Sequence, residues 1–218
     1  MRFLFVIPLF QFASTCQSQN ISIKVPLFSL VDEISFPTIQ SGIELKLSDR
    51  ISCYNEFGVK YRKSYYELAD TSFVNPHGFK LKSEIRYYQK DNRSIYFALN
   101  GFYTKDHRNT EIGYYYSNDS SDYRIDDFNA IKTVRGFDLI VGKQKRTSKH
   151  FGFDFYTGLG IRLINIKNDN IEFRNGTDVF RGPIDLNISY MRNTMDAEGG
   201  NHVLPNFSLG VRLSYWFR

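Results

Sequence analysis

The residues of this 218-residue chain that could do chemistry fall into three sets. The first is the four histidines, His77, His107, His150 and His202. None stands at ligand spacing from another, so no metal is expected. His107 beside Asp106, or His202 with Asp196 and Glu198, could form a rim site of the kind a hydrolase or acyltransferase uses. No serine is spaced as a nucleophile for either base, and solvated loops account for them more simply, so no catalytic or cofactor-binding residue is assigned. The second set is Cys16 and Cys53, which lie in different parts of the chain and give no internal disulfide if the N-terminus is removed. The third is the most telling. Glu44, Glu56, Lys60, Lys82, Glu84, Arg86, Asp138, Asp154, Arg162 and Arg212 all fall on one face of alternating segments.

Those segments read as strands because apolar residues recur with period two. The clearest carries Phe207, Leu209, Val211, Leu213, Tyr215 and Phe217 on one face, with Arg212 on the other. Another carries Phe151, Phe153, Phe155, Leu159, Ile161 and Leu163 opposite Asp154 and Arg162. Weaker copies lie near 131–144 and 94–104, around Phe79 to Tyr87, Ile51 to Tyr61, Ile39 to Leu47 and Ile21 to Leu27. Pro26 weakens the last, since proline cannot donate to a ladder. Eight strands result. The alternating stretch 184–190 reads as a hairpin arm above the membrane, or as one of two additional strands in a ten-stranded barrel.

Short and long connections alternate. Turns at 48–50, 90–93 and 145–149 are short, whereas 63–78, 105–130 and 167–205 are expected to be long loops; 31–36 alone breaks the rhythm. Membrane barrels sort their connections in this way. Glycines recur on the charged face (Gly42, Gly58, Gly136, Gly142, Gly152, Gly158, Gly160, Gly210), and aromatics gather toward strand ends. Both suit a narrow barrel with interfacial aromatic girdles. Alternation alone does not choose between an exported soluble barrel, such as a lipocalin-like ligand binder, and a membrane barrel. Loop rhythm, glycines and girdles favour the membrane barrel.

Composition agrees. Hydrophobic types make up 42% and aromatics 17% of the chain, yet mean hydropathy is −0.38. That excludes spanning helices, which need ~20 apolar residues in a row, and it excludes disorder, which is poor in aromatics. Net charge is +5 but without a basic run, which argues against nucleic acid. Met1-Arg2, an apolar run to Phe10 and a small polar stretch to Gln19 read as an export signal over 1–19, leaving a barrel domain over 20–218. Cys16 would leave with it, or be lipidated if cleavage fell just before it; Ala13-Ser14-Thr15 fits that lipoprotein box poorly.

With Gly42-Ile43-Glu44-Leu45 running into Ser48-Asp49-Arg50, and with the ending Leu209-Gly210-Val211-Arg212-Leu213-Ser214-Tyr215-Trp216-Phe217, the chain resembles small outer-membrane barrels of the OmpA/OmpX/OmpW type. It is most similar in pattern to the outer membrane protein β-barrel domain proteins of Bacteroidota. The resemblance implies an all-β, eight-stranded antiparallel transmembrane barrel in the bacterial outer membrane. It implies membrane lipid and lipopolysaccharide as surroundings and a monomeric state. It also implies that Tyr215 and Phe217 form the signal read by the barrel-assembly machinery, with Arg218 as a one-residue departure after the terminal aromatic. The expected role is non-enzymatic, structural or through the outer loops, with lipid-modifying barrel enzymes as the minority alternative. Charges of both signs on the lumen face are expected to pair and fill the interior, since eight strands leave room only for side chains.

Overall fold

A computed structural model describes residues 21–31, 37–61, 77–90, 94–116, 121–174, 177–178 and 197–217. The expected signal 1–19, the stretch 184–190 and Asp196 lie outside these residues. Eight strands are present among them: β1 Ile21–Pro26, β2 Thr38–Lys46, β3 Ile51–Lys60, β4 His77–Tyr88, β5 Ile95–Tyr115, β6 Tyr123–Arg146, β7 Phe151–Asp169 and β8 Gly200–Trp216. Each pairs antiparallel with the next, and β8 returns to β1 through Ser22↔Trp216 to Pro26↔Arg212, closing the barrel.

The barrel is inside out relative to a soluble protein. Leu139 and Leu159 on the outer wall are 68% exposed, whereas Arg86, Asp154 and Arg212 in the interior are 0% exposed. Apolar side chains from every strand continue this outer wall, among them Ile23, Ile43, Phe57, Ile85, Leu99, Phe137, Ile161 and Phe207. A soluble protein rarely exposes an apolar patch above a few hundred Å², and water would not tolerate this one. Hydrocarbon does, and a closed barrel leaves no unpaired strand edge to be buried in it. The chain is a transmembrane barrel. β3, with 10 residues, has the length of a tilted strand that crosses a bilayer in ~9–11 residues.

Aromatic rings border the apolar band. At the end with the short turns, here the inner end, Phe151 and Phe217 each meet Tyr215 at 5.1 Å, and His150 stacks on Tyr215 at 5.6 Å. At the outer end Phe79 meets Tyr103 at 5.8 Å. Two inner turns are built alike. The Ser48 hydroxyl accepts from the Ile51 amide at 3.1 Å, and the Ser148 hydroxyl accepts from the Phe151 amide at 3.1 Å. A hydroxyl three residues ahead stabilises a tight turn, because it offers the backbone a partner within the loop.

Two of the expected long loops are shorter than the sequence reading placed them. The stretch 105–130 is mostly strand: β5 continues to Tyr115 and β6 begins at Tyr123, paired without a break from Ile95↔Lys143 to Tyr115↔Tyr123. β7 likewise continues to Asp169 and β8 starts at Gly200, with Pro205 inside it opposite Ile161. The reason is environmental. Beyond the membrane the outer face meets water, so the strand loses the apolar alternation that marks it within the bilayer. On the inner face of this extension Tyr114, Phe128 and Ala130 form a small core with Phe173 and Ala197. Asp126 ties that cover down by accepting from the amides of Glu172 at 2.6 Å and Phe173 at 3.1 Å.

Candidate functional site: the charged lumen

Alternation sends every second residue of each strand inward, so eight strands deliver their polar set to one narrow column. Lys24 comes from β1, Glu44 from β2, Glu56 from β3, Lys82, Glu84 and Arg86 from β4, Asp154 from β7 and Arg212 from β8. Four cations thus face four carboxylates. Lys24 Nζ lies 2.7 Å from Glu44 and 2.8 Å from Asp154. Arg86 grips Glu84 at 2.6 Å and Asp154 at 2.9 Å. Arg212 pairs with Glu84 and lies 3.3 Å from Glu56, which also meets Lys82 at 3.1 Å. Charges in low dielectric persist only when partnered in this fashion.

Tyrosines complete the column. Arg86 lies between the rings of Tyr54 and Tyr96, 4.5 Å from each centroid. Arg212 lies between Tyr54 at 4.6 Å and Tyr156 at 3.8 Å. The two guanidiniums therefore sandwich Tyr54, an arrangement of cation–π contacts strengthened by desolvation. Hydroxyls of the same rings donate to the carboxylates, Tyr54 to Glu56 at 2.6 Å and Tyr96 to Asp154 at 2.8 Å. Nearer the inner end Tyr88 and Ser52 both donate to Glu44 at 2.5 Å, and Gln144 donates to it at 3.1 Å.

Glycines make room for these rings. Gly142 pairs directly with Tyr96 and Gly210 with Tyr156. A Cβ on Gly142 would collide with the Tyr96 ring, and one on Gly210 would collide with the Tyr156 ring. Gly142→Val is accordingly expected to displace Tyr96 from Arg86 and to cost about 1–3 kcal/mol, as overpacking does. A lowered urea midpoint for unfolding from lipid vesicles would register it; an unchanged midpoint would show that the ring has somewhere else to go.

Of the ten lumen charges expected from the sequence, Glu44, Glu56, Lys82, Glu84, Arg86, Asp154 and Arg212 meet in this one network. Three sit apart. Lys60 pairs with Asp106 at 2.9 Å. Asp138 accepts from Asn206 at 2.7 Å, Ser208 at 2.6 Å and Asn100 at 3.2 Å. Arg162 is half-buried further along the inward face of β7. The sequence reading missed Lys24, because its strand is short and contains Pro26. It also missed Tyr54, Tyr96 and Tyr156, whose signal was their place on the charged face.

The rim pair of His107 and Asp106 does not assemble, and Asp196 of the second rim site lies outside the described residues. Asp106 turns inward to Lys60, while His107, its neighbour in an extended strand, lies on the opposite face across from His77. Partial burial and the nearby Lys105 lower the His107 pKa below the usual imidazole range. His202 Nε2 is 3.0 Å from the Gly199 carbonyl, a local contact. No trio of His, Cys, Asp or Glu placed to hold a metal occurs among the described residues.

No family model matches the chain, and no curated protein matches it. Among solved structures the chain is similar to one described as the crystal structure of a major outer membrane protein from Thermus thermophilus. The identity is 8%, with 92% of this chain and 100% of that chain covered, at a TM-score of 0.38.

Proposed function

We propose that this protein is a non-enzymatic outer-membrane barrel whose lumen is a rigid filling rather than a conduit, and whose work lies in the structure it raises beyond the membrane. The observation that carries this reading is the lumen network. Its four cations and four carboxylates are mutually paired, interleaved with tyrosine rings, and shut off from solvent at the level of Arg86, Asp154 and Arg212. A site for substrate needs an unspent polar group within reach of solvent, and at this level the charges are spent on one another, with Arg212 Nη1 held in the closed interior 3.6 Å from Asp154. The extension of β5 and β6 with its own small core supplies a fixed platform for surface contacts.

The exposed apolar wall supports the outer-membrane setting. Arg135 and Lys105, near Tyr103 at the outer border of the apolar band, suit the phosphates of lipopolysaccharide. The rings of Tyr215 and Phe217 at the inner end suit recognition by the barrel-assembly machinery. Single-channel recording in a planar bilayer, paired with heat-modifiable migration on detergent gels, tests the proposal. The expected result is a folded, heat-modifiable species without stepwise conductance. Regular conductance steps from wild-type protein would overturn the filled-lumen reading, and a protein that folds in buffer without detergent would overturn the membrane setting.

A further inference from the structure

The lipid-facing wall is apolar nearly all the way round, except on β2 to β5. There Ser41, Asn55 and Ser83 point outward and are exposed, with Cys53 half-buried beside them. Register places Asn55, Ser83 and Gly101 side by side on one row, midway between the inner turns and the outer ring of aromatics. Gly101 has nothing within 4 Å of where a Cβ would stand, so the row ends in a recess. A hollow of about 1040 Å³ has Ser41, Asn55, Ser83 and Gly101 in its lining, and Glu56 and Lys82 of the lumen network also border it. On β7 the opposite wall holds a single outward hydroxyl, Thr157, flanked across the strands by Val141 and Leu209.

Polar groups in hydrocarbon are costly because lipid tails offer no hydrogen-bond partner. Ser83 donates to Asn55 Oδ1 at 2.8 Å, which satisfies one half of the amide. The other half, Nδ2, has only the Cys53 sulfur at 3.4 Å, a weak acceptor. The patch therefore carries a donor without an oxygen partner, an acceptor already half used, and little side-chain bulk above the backbone. Interfaces within membranes are enriched in this combination, small residues allowing close approach and polar ones hydrogen-bonding across it.

We infer that this patch is where a second copy of the chain docks. An amide is donor and acceptor at once, so the patch complements itself. A two-fold axis along the membrane normal beside the row sets the Asn55 amide of each copy against the Asn55–Ser83 pair of the other, as a closed isologous contact requires. The inner and outer ends of the barrel stay aligned in both copies, which a shared membrane demands. The monomer implied by family resemblance gives way here to a dimer. The inference rests on the membrane-spanning reading of the wall. Failure of that reading would show separately, as a protein that needs neither detergent nor lipid to fold.

Energy transfer between labelled copies tests it. Asp49→Cys on the inner turn below β2 and β3, in a Cys16→Ser, Cys53→Ala chain that adds no oxygen acceptor beside Asn55, takes donor or acceptor dye. The mixed proteins are reconstituted in phosphatidylcholine vesicles and diluted with lipid. Transfer above the random-collision level that falls only at high lipid excess is the expected result. Asn55→Leu should weaken association roughly tenfold, the loss of two interfacial hydrogen bonds related by the two-fold axis. Gly101→Leu should do the same by filling the recess, and Thr157→Leu should change nothing. Heat-modifiable migration verifies that each variant is folded, so that either of the first two suffices. Transfer at the collision level for the parent protein overturns the inference, as does transfer unaffected by both Asn55→Leu and Gly101→Leu. Cross-linking from position 55 in native membranes to a different protein alone would also overturn it.

Discussion

Asp154→Ala is expected to destabilise the barrel by about 3–5 kcal/mol, the usual cost of removing one partner from a buried ionic cluster. Asp154 is contacted by Lys24 at 2.8 Å, Arg86 at 2.9 Å, Arg212 at 3.6 Å and the Tyr96 hydroxyl at 2.8 Å. Its removal leaves three cations sharing the remaining carboxylates in a volume closed to water. Urea unfolding from lipid vesicles and the temperature of gel-shift conversion both read the loss. Asp154→Asn keeps the volume and an acceptor for Tyr96, so it should lose less. Adding Lys24→Met to Asp154→Ala removes one stranded cation and should recover part of the stability, a non-additivity that a double-mutant cycle isolates. Wild-type stability for Asp154→Ala would mean that water reaches the cluster, and the lumen would then have to be read as a hydrated pore.

Leu139→Arg is expected to have the next largest effect, about 2–4 kcal/mol, the cost of a cation at the lipid face near the bilayer midplane. Leu139 is 68% exposed between Leu99 on β5 and Leu159 on β7, while the neighbouring carboxylate of Asp138 faces the lumen on the other side of the wall. In a soluble protein an arginine at so exposed a position would be neutral, so the variant discriminates by sign as well as size. Arg135→Leu, nearer the outer border of the band on the same strand, provides the opposite control and should be tolerated in hydrocarbon. Unaltered folding of Leu139→Arg into vesicles would contradict the orientation of the whole wall.

Much of this arrangement was legible in the chain. Strict alternation at Phe207 to Phe217 and at Phe151 to Leu163 fixes strand, face and register together, because shifting by one residue would send Arg212 and Asp154 into lipid. Seven of the eight charges of the central network, all but Lys24, were readable as inward positions for that reason. What was not legible depends on partners distant in sequence. Tyr54, Tyr96 and Tyr156 alternate onto the charged face, but read alone they name no partner. Only the pairing of Tyr96 with Gly142 and of Tyr156 with Gly210 shows that they lie flat across a neighbouring strand inside the barrel. Asn55 and Ser83 interrupt otherwise apolar faces, and in a one-strand reading they pass as noise; adjacent in register, they become a patch. The continuation of β5 and β6 carried no apolar alternation to announce it, since its outer face leaves the bilayer.

The closure of β8 onto β1 carries a kinetic meaning. Lys24 reaches Asp154 across 130 positions, Glu84 reaches Arg212 across 128, and Glu56 reaches Arg212 across 156. No hairpin formed early contains more than a fragment of this set. Nucleation cannot borrow its energy, because the entropy of bringing first and last strands together has to be met before those contacts reward it. The cluster thus acts late, as a latch that holds the finished cylinder shut. It should slow spontaneous opening far more than it speeds assembly.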